Sequence, residues 1–240
     1  MSGERDDERS ARWEAKKAHY QSEEVVAQYD AARFRGRHER KSTERKWKRI
    51  QAHLGERLQA GAEVLDVPSG TGRFTRAVLD AGYALTSADL SFPMLQAARE
   101  TAGDSPQFRG AVRCDVERLP FGDGVFDLVL SIRFLFHVPV DLRVALLKEM
   151  GRVSRGYVVV DVRHKYCYST HTKRLKAWIL GRRMPSKRAS LAEIERDFKA
   201  AGLRVVKRTW LAPGLSEKML VICEAGAERK GNDTGVRAGE

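Results

Sequence analysis

The segment Glu63-Val-Leu-Asp-Val-Pro-Ser-Gly-Thr-Gly-Arg-Phe-Thr75 constrains the fold more than any other stretch of the chain. Val64, Leu65 and Val67 read as a short buried strand, which runs into a carboxylate, Asp66, and then into Gly70-Thr-Gly72. Beyond the glycines the spacing turns helical, with Phe74, Ala77 and Val78 on one face. A strand, a glycine turn and a helix N-terminus make a place where backbone approaches a ligand closely. The acid narrows the ligand. Asp66 repels a pyrophosphate and attracts an amine or a sulfonium.

The rest of the chain supplies a frame for that turn. Strand candidates fall at 62–67, 84–89, 108–114, 125–131, 156–162, 203–210 and 217–224. Helix candidates fall between them at 72–81, 91–102, 139–152, 170–182 and 190–201. Strands alternating with helices predict an α/β fold: a Rossmann-like, doubly wound, mostly parallel sheet of seven strands. The linker Leu211-Ala-Pro-Gly-Leu-Ser216 has no room for a helix, so the last two strands are predicted to pair as an antiparallel C-terminal hairpin. The organisation read from the sequence is a flexible N-terminal tail over 1–20 and an N-terminal helical lid over 21–60. A ligand-binding domain follows over 61–224, with a basic helical insertion at about 165–188, and then a disordered tail over 225–240.

Composition excludes several classes. No apolar run reaches the ~18–20 residues needed to span a bilayer, and the charged start Met1-Ser-Gly-Glu-Arg-Asp-Asp-Glu-Arg-Ser10 has no signal-peptide core. Cys114, Cys167 and Cys223 form neither a disulfide framework nor a zinc pattern. No metal is expected, and the histidines and cysteine of His164-Lys-Tyr-Cys-Tyr-Ser-Thr-His171 lack ligand spacing. These readings point to the cytoplasm, with peripheral attachment to a membrane as a further option. The formal charge of +12 is clustered in the basic segments 33–49 and 163–188, which suits nucleic acid, anionic lipid or an acidic metabolite, or simply a solvated surface. Oligomeric state is not legible.

In a doubly wound sheet, ligands lie outside the carboxyl ends of the strands. Three acids stand at three successive strand ends. Asp66 adjoins the glycine turn, Asp89 closes Ala84-Leu-Thr-Ser-Ala-Asp89, and Asp115 follows Cys114. An acid at the Asp89 position suits ribose hydroxyls. One at Asp115 suits an adenine amino group, with Val116 against the ring. Any one of them read alone is also a helix cap or a turn residue.

In this order and spacing, the residues Val64-Leu-Asp-Val-Pro-Ser-Gly-Thr-Gly72, Ala88-Asp-Leu-Ser91 with Met94 and Leu95, Cys114-Asp-Val-Glu-Arg-Leu-Pro-Phe121, Phe126-Asp-Leu-Val-Leu-Ser131 and His137-Val-Pro139 resemble a class I S-adenosylmethionine-dependent methyltransferase. The likeness is to the ubiquinone/menaquinone-biosynthesis branch, the methyltransferase type 11 group, and covers about residues 60–225. It implies S-adenosyl-L-methionine as cofactor and S-adenosyl-L-homocysteine as product. It implies that Asp66, Pro68, Ser69, Gly70 and Gly72 hold the methionine part. Asp89 then binds the ribose with Leu90 near the adenine, Asp115 and Val116 frame the adenine, and Ser131 lies behind the methyl donor. Pro68 departs from the family's glycine; it fixes φ without donating a hydrogen bond, so the loop is expected to keep its shape. Gly70-Thr-Gly-Arg-Phe-Thr75 lacks the third small residue of an NAD fingerprint. No Asn-Pro-Pro-Tyr-like stretch follows the fourth strand, which argues against methylation of base amines.

For the transfer step, His137 is the candidate general base, with a packed or capping histidine as the alternative. Arg133 is a candidate for holding an anionic acceptor group. Tyr29 and Phe34 resemble lid aromatics of this branch, and Tyr166 and Tyr168 follow the fifth strand, where substrate residues commonly sit. The leading function is methyl transfer to a small-molecule acceptor that is lipid-like, quinone-like or anionic. The alternatives are an RNA methyltransferase using the basic segments, and a cofactor-binding scaffold without chemistry.

Overall fold

The computed structural model describes residues 13–15, 17–18, 37–164, 179, 181, 189–211 and 217–226. Seven strands form one sheet: β1 (Glu63–Asp66), β2 (Ala84–Asp89), β3 (Phe108–Arg113), β4 (Phe126–Ser131), β5 (Ser154–Arg163), β6 (Arg204–Trp210) and β7 (Lys218–Glu224). Their order is β3-β2-β1-β4-β5-β7-β6. The first five run parallel, and β7 is antiparallel to both β5 and β6. The α/β class, the seven strands and the antiparallel end therefore agree with the sequence pattern. The insertion of β7 between β5 and β6 is the part no local pattern discloses. The predicted helix over 170–182 lies outside the described residues apart from Ile179 and Gly181.

Burial follows from strand period. Successive side chains point to opposite faces, and both faces are covered, so β2 is buried at every position and reads as continuous rather than alternating. Leu128, Leu130, Val159, Leu220 and Ile222 join one core with Ile50 and Leu54 of helix α1 (Arg37–Leu54) and Val78 of α2 (Thr75–Asp80). Val129, Val158, Val160, Met219 and Val221 join the other. That core also holds Leu146, Leu147 and Met150 of α4 (Val140–Val153) and Ile194 and Phe198 of α5 (Leu191–Ala200). Helix α3 (Phe92–Ala102) completes the covering. α5 begins with a capping box, in which Ser190 Oγ accepts from the Glu193 N–H and the Glu193 carboxylate accepts from the Ser190 N–H. Edge strand β3 alternates half-buried and exposed positions and carries Arg109 and Arg113, charges that discourage pairing with another chain.

The N-terminal tail needs a correction. Trp13 was expected in a frayed segment, yet it is buried in the core that carries α4. Its indole Nε1 donates to Glu117 Oε1 at 2.8 Å. A large aromatic loses more by exposure than a short polar segment gains by fraying.

One buried ion pair joins α1 to the sheet. Lys46 Nζ donates to Asp161 near the end of β5, and both side chains are only 4% exposed. Burial pulls the Lys46 ammonium down from its usual range, and Asp161 opposes that shift. The other Asp161 oxygen accepts the backbone N–H of Arg133, a non-glycine residue with φ of 66°. Removing one member of such a pair strands a buried charge. Asp161→Ala is expected to cost about 3–5 kcal/mol in chemical denaturation, and the double change Lys46→Met/Asp161→Asn less than that. Equal losses for the two variants would show that packing, and not the charge pair, fastens α1.

Candidate active site

The carboxyl ends of β1, β2 and β4 converge on one cavity, and the loop after β1 forms its floor. The Val67 N–H donates to the Leu130 carbonyl at 2.8 Å, and the Ser69 N–H donates to the Ala88 carbonyl at 2.9 Å. The chain is thus held between β4 and β2 after β1 has ended. Asp89 fixes the next step: its Oδ2 accepts the Gly70 N–H at 2.8 Å and its Oδ1 accepts the Ser91 N–H at 2.9 Å. Burial pushes the Asp89 carboxyl up, while these N–H groups and that of Leu90 pull it down.

The two glycines do different work. A Cβ on Gly72 would lie 2.7 Å from Ala98 Cα and 2.8 Å from Thr75 Oγ1, so this glycine lets the loop close against α3. A Cβ on Gly70 would meet nothing within 4 Å. Both have positive φ, 55° at Gly70 and 78° at Gly72, which glycine adopts at no steric cost.

Asp66 faces the same cavity and is fully buried, with its carboxyl pushed up to about 8 by desolvation first and by Asp89 second; Arg73 opposes the shift. Its Oδ2 has no hydrogen-bond partner among the described residues. An orphaned buried carboxyl oxygen beside an open glycine fits a ligand that brings a cation or a donor.

Of the residues expected to hold the cofactor, Asp66, Pro68, Ser69, Gly70, Asp89, Leu90, Asp115 and Val116 all line this cavity. Gly72 and Ser131 do not: Gly72 packs against α3, and Ser131 is buried at the end of β4, one residue before the lining residue Ile132. Arg133 and His137 line it as well. The His137 ring lies against Phe136 at 4.4 Å between centroids, and its backbone N–H donates to the Phe134 carbonyl at 2.8 Å, closing a short 3-10 turn. Tyr29, Phe34, Tyr166 and Tyr168 lie outside the described residues.

Sequence reasoning missed the wall supplied by the N-terminus. Trp13 and Lys17 line the cavity, and Trp13 packs 6.0 Å from Phe134 between ring centroids. Lys17 Nζ donates to Asp115 Oδ2 at 2.8 Å, and the other Asp115 oxygen accepts the Glu117 N–H at 3.0 Å. The available signal was a lone tryptophan in a stretch otherwise rich in charge. Arg73 and Phe74, also missed, sit within the glycine segment itself.

Comparison with known proteins agrees with this geometry. Residues 65–160 match the family model described as a methyltransferase domain. The demethylmenaquinone methyltransferase of Mycolicibacterium vanbaalenii is 37% identical over 138 residues, covering 57% of this chain and 54% of the relative. The malonyl-[acyl-carrier protein] O-methyltransferase of Erwinia pyrifoliae is 35% identical over 115 residues, covering 44% of this chain and 40% of the relative. The chain thus spans about half the length, or less, of these relatives. The magnesium protoporphyrin IX methyltransferase of Synechocystis PCC 6803, solved with bound S-adenosylmethionine, superposes with a TM-score of 0.65 over 88% of this chain and 95% of its own. At 13% identity that likeness speaks to the fold alone. The glycine turn after β1 and the acids Asp66, Asp89 and Asp115 all fall within residues 65–160, the stretch that resembles a class I S-adenosylmethionine-dependent methyltransferase domain.

Proposed function

We propose that this chain transfers the methyl group of S-adenosylmethionine to a small-molecule acceptor of lipid-like, quinone-like or anionic character. The observation that carries the cofactor half is the buried Asp66 oxygen, unpartnered beside Gly70, in a cavity whose next acids are Asp89 and Asp115. The acceptor half is supported by relatives named for quinone and acyl-carrier-protein substrates and by Arg133 on the cavity wall.

When bound, the cofactor supplies a methyl group on an electrophilic sulfonium. The protein's own groups bind, orient and exclude water. Asp66 is placed to meet the cationic methionine end, where ionisation of its carboxyl becomes favourable. Asp89, already committed to Gly70 and Ser91, keeps further lone pairs for ribose hydroxyls. Asp115 and Val116 offer an acceptor and an apolar face to the base. Arg133 is the group for an acidic acceptor. His137 takes a proton from the acceptor where the acceptor must lose one. Of the lid read over 21–60, the part that precedes α1 is proposed to complete the mouth of the site.

Calorimetry is expected to detect binding of S-adenosylmethionine to the wild-type protein and a loss of at least about tenfold in affinity for Asp89→Ala, the scale of one charged hydrogen bond. Absence of binding in the wild type would overturn the proposal. The two glycines give a sharper contrast. Gly72→Ala is expected to lower the melting temperature through its collision with α3, whereas Gly70→Ala weakens cofactor binding more than it weakens the fold. The reverse ranking would mean that the open space at Gly70 is not cofactor space.

Asp66 ties function to pH. Its folded value of about 8 lies above the reference value of 3.8. The raised value favours the unliganded fold fully below pH 3.8, and that contribution is lost as pH rises towards 8. Relative to Asp66→Asn, the unliganded wild type is expected to lose melting temperature across that window, while the Asn variant binds the cofactor less tightly. A flat difference between the two across the window would place the carboxyl in water. His137→Ala is expected to slow label transfer from the cofactor into fractionated cell extract by about 10²–10⁴-fold with cofactor affinity kept, the range of general base catalysis. Unchanged transfer would return His137 to a packing role.

A further inference from the structure

Helix α1 presents two unlike halves. Successive residues advance by about 100° around a helix. Ser42, Thr43, Lys46, Ile50 and Leu54 are buried and share one half of the circumference. Arg40, Lys41, Arg45 and Lys48 are exposed, Arg49 is half-buried, and these five cations share the other half, with Glu44 the one acid among them. They span about 14 Å of helix axis. None of the five forms an ion pair among the described residues. Arg45 turns to the Lys41 carbonyl, and Arg49 turns to the carbonyls of Arg45 and Leu211.

The inner side of the same helix reaches residues of the cavity wall. Lys46, on the inner side of α1, bonds Asp161, which accepts the N–H of the cavity residue Arg133. Trp47 packs 6.4 Å from the ring of Phe74, another cavity residue. One large apolar side chain stands out on the same layer: Phe92 opens α3, whose Ala102 shares the core of α1, and is 56% exposed.

From this arrangement we infer that the outer face of α1 docks on an anionic lipid bilayer and brings the cavity mouth to the lipid interface. The cations answer anionic headgroups, each adding to attraction within a Debye length of the surface. Phe92 answers the acyl boundary behind the headgroups. A single-stranded nucleic acid would use the cations equally, but its bases stack on aromatic faces set among them, and between Arg40 and Arg49 the outer half of α1 carries none. The inference rests on the charge pattern and does not require methyl transfer. Combined with the proposed function, it lets a lipid-like acceptor enter without crossing water.

The test uses the full chain in flotation with vesicles of phosphatidylglycerol and phosphatidylcholine, against vesicles of phosphatidylcholine alone. Binding is expected only to the anionic vesicles, with release when salt is raised from about 0.1 M towards 1 M, where the screening length falls to about 3 Å. Lys41→Glu/Lys48→Glu is expected to weaken binding at least about 30-fold, from roughly 1 kcal/mol per cation. Arg99→Glu/Lys148→Glu, an equal charge change on exposed residues of α3 and α4, is expected to keep it within about threefold. Circular dichroism melting checks that both variants fold. Calorimetry with S-adenosylmethionine, expected to be unchanged in both, separates failure of this surface from failure of the cofactor site. No binding to anionic vesicles would overturn the inference, as would equal loss in the two variants. So would a preference for a single-stranded RNA oligonucleotide over the vesicles.

Discussion

The Asp89 carboxylate is the point on which the site depends. One oxygen holds the Gly70 N–H and the other holds the Ser91 N–H, so a single side chain at the end of β2 fixes both the glycine loop and the start of α3. Without it, Gly70 would have only its own turn to define it, and that turn offers a Cβ-sized void rather than a contact. The loop is therefore organised by the neighbouring strand and not by its own sequence. Such an arrangement needs a parallel sheet, because only adjacent parallel strands end at the same edge. The register Asp66 with Ser87 and with Leu130 sets that edge.

Asp89 also raises the energy of the carboxyl beside it. Desolvation is the larger cause of the elevated Asp66 value and the charge of Asp89 the second. Two buried acids side by side are unfavourable for the fold and favourable for a cationic ligand, since the ligand relieves both causes at once. Stability and binding therefore pull in opposite directions at this residue, as is common where a site is preorganised. A structural role gives no reason for the unpartnered Asp66 oxygen; a ligand does.

The central sheet was legible in the sequence because its evidence is local. Strand period, the Gly70–Gly72 turn and the acids at Asp66, Asp89 and Asp115 each speak within a few residues. The position of β7 between β5 and β6 was not legible, because it follows from the antiparallel pairing of Val158 with Cys223 and its neighbours, a contact between segments far apart in the chain. The site divides along the same line. The loop and strand-end residues were found by pattern, whereas Trp13 and Lys17 reach the cavity only through tertiary contacts with Glu117, Phe134 and Asp115. A charged segment around one tryptophan looks frayed until its partners are known. Ser131 illustrates the opposite limit: it does end β4, but its side chain is fully buried and does not line the cavity, whereas the next residue, Ile132, does.

The same long-range logic governs the cavity wall at Arg133. Arg133 takes a left-handed backbone conformation that an L-residue pays for in steric energy, and what holds it there is its N–H donated to Asp161. Asp161 tolerates its buried position because Lys46 reaches it from α1. The orientation of a cavity-wall arginine is thus settled by a helix whose opposite face is cationic and open to solvent. In this chain the helix with the cationic outer face is joined to a residue of the cavity wall, Arg133, through one buried ion pair.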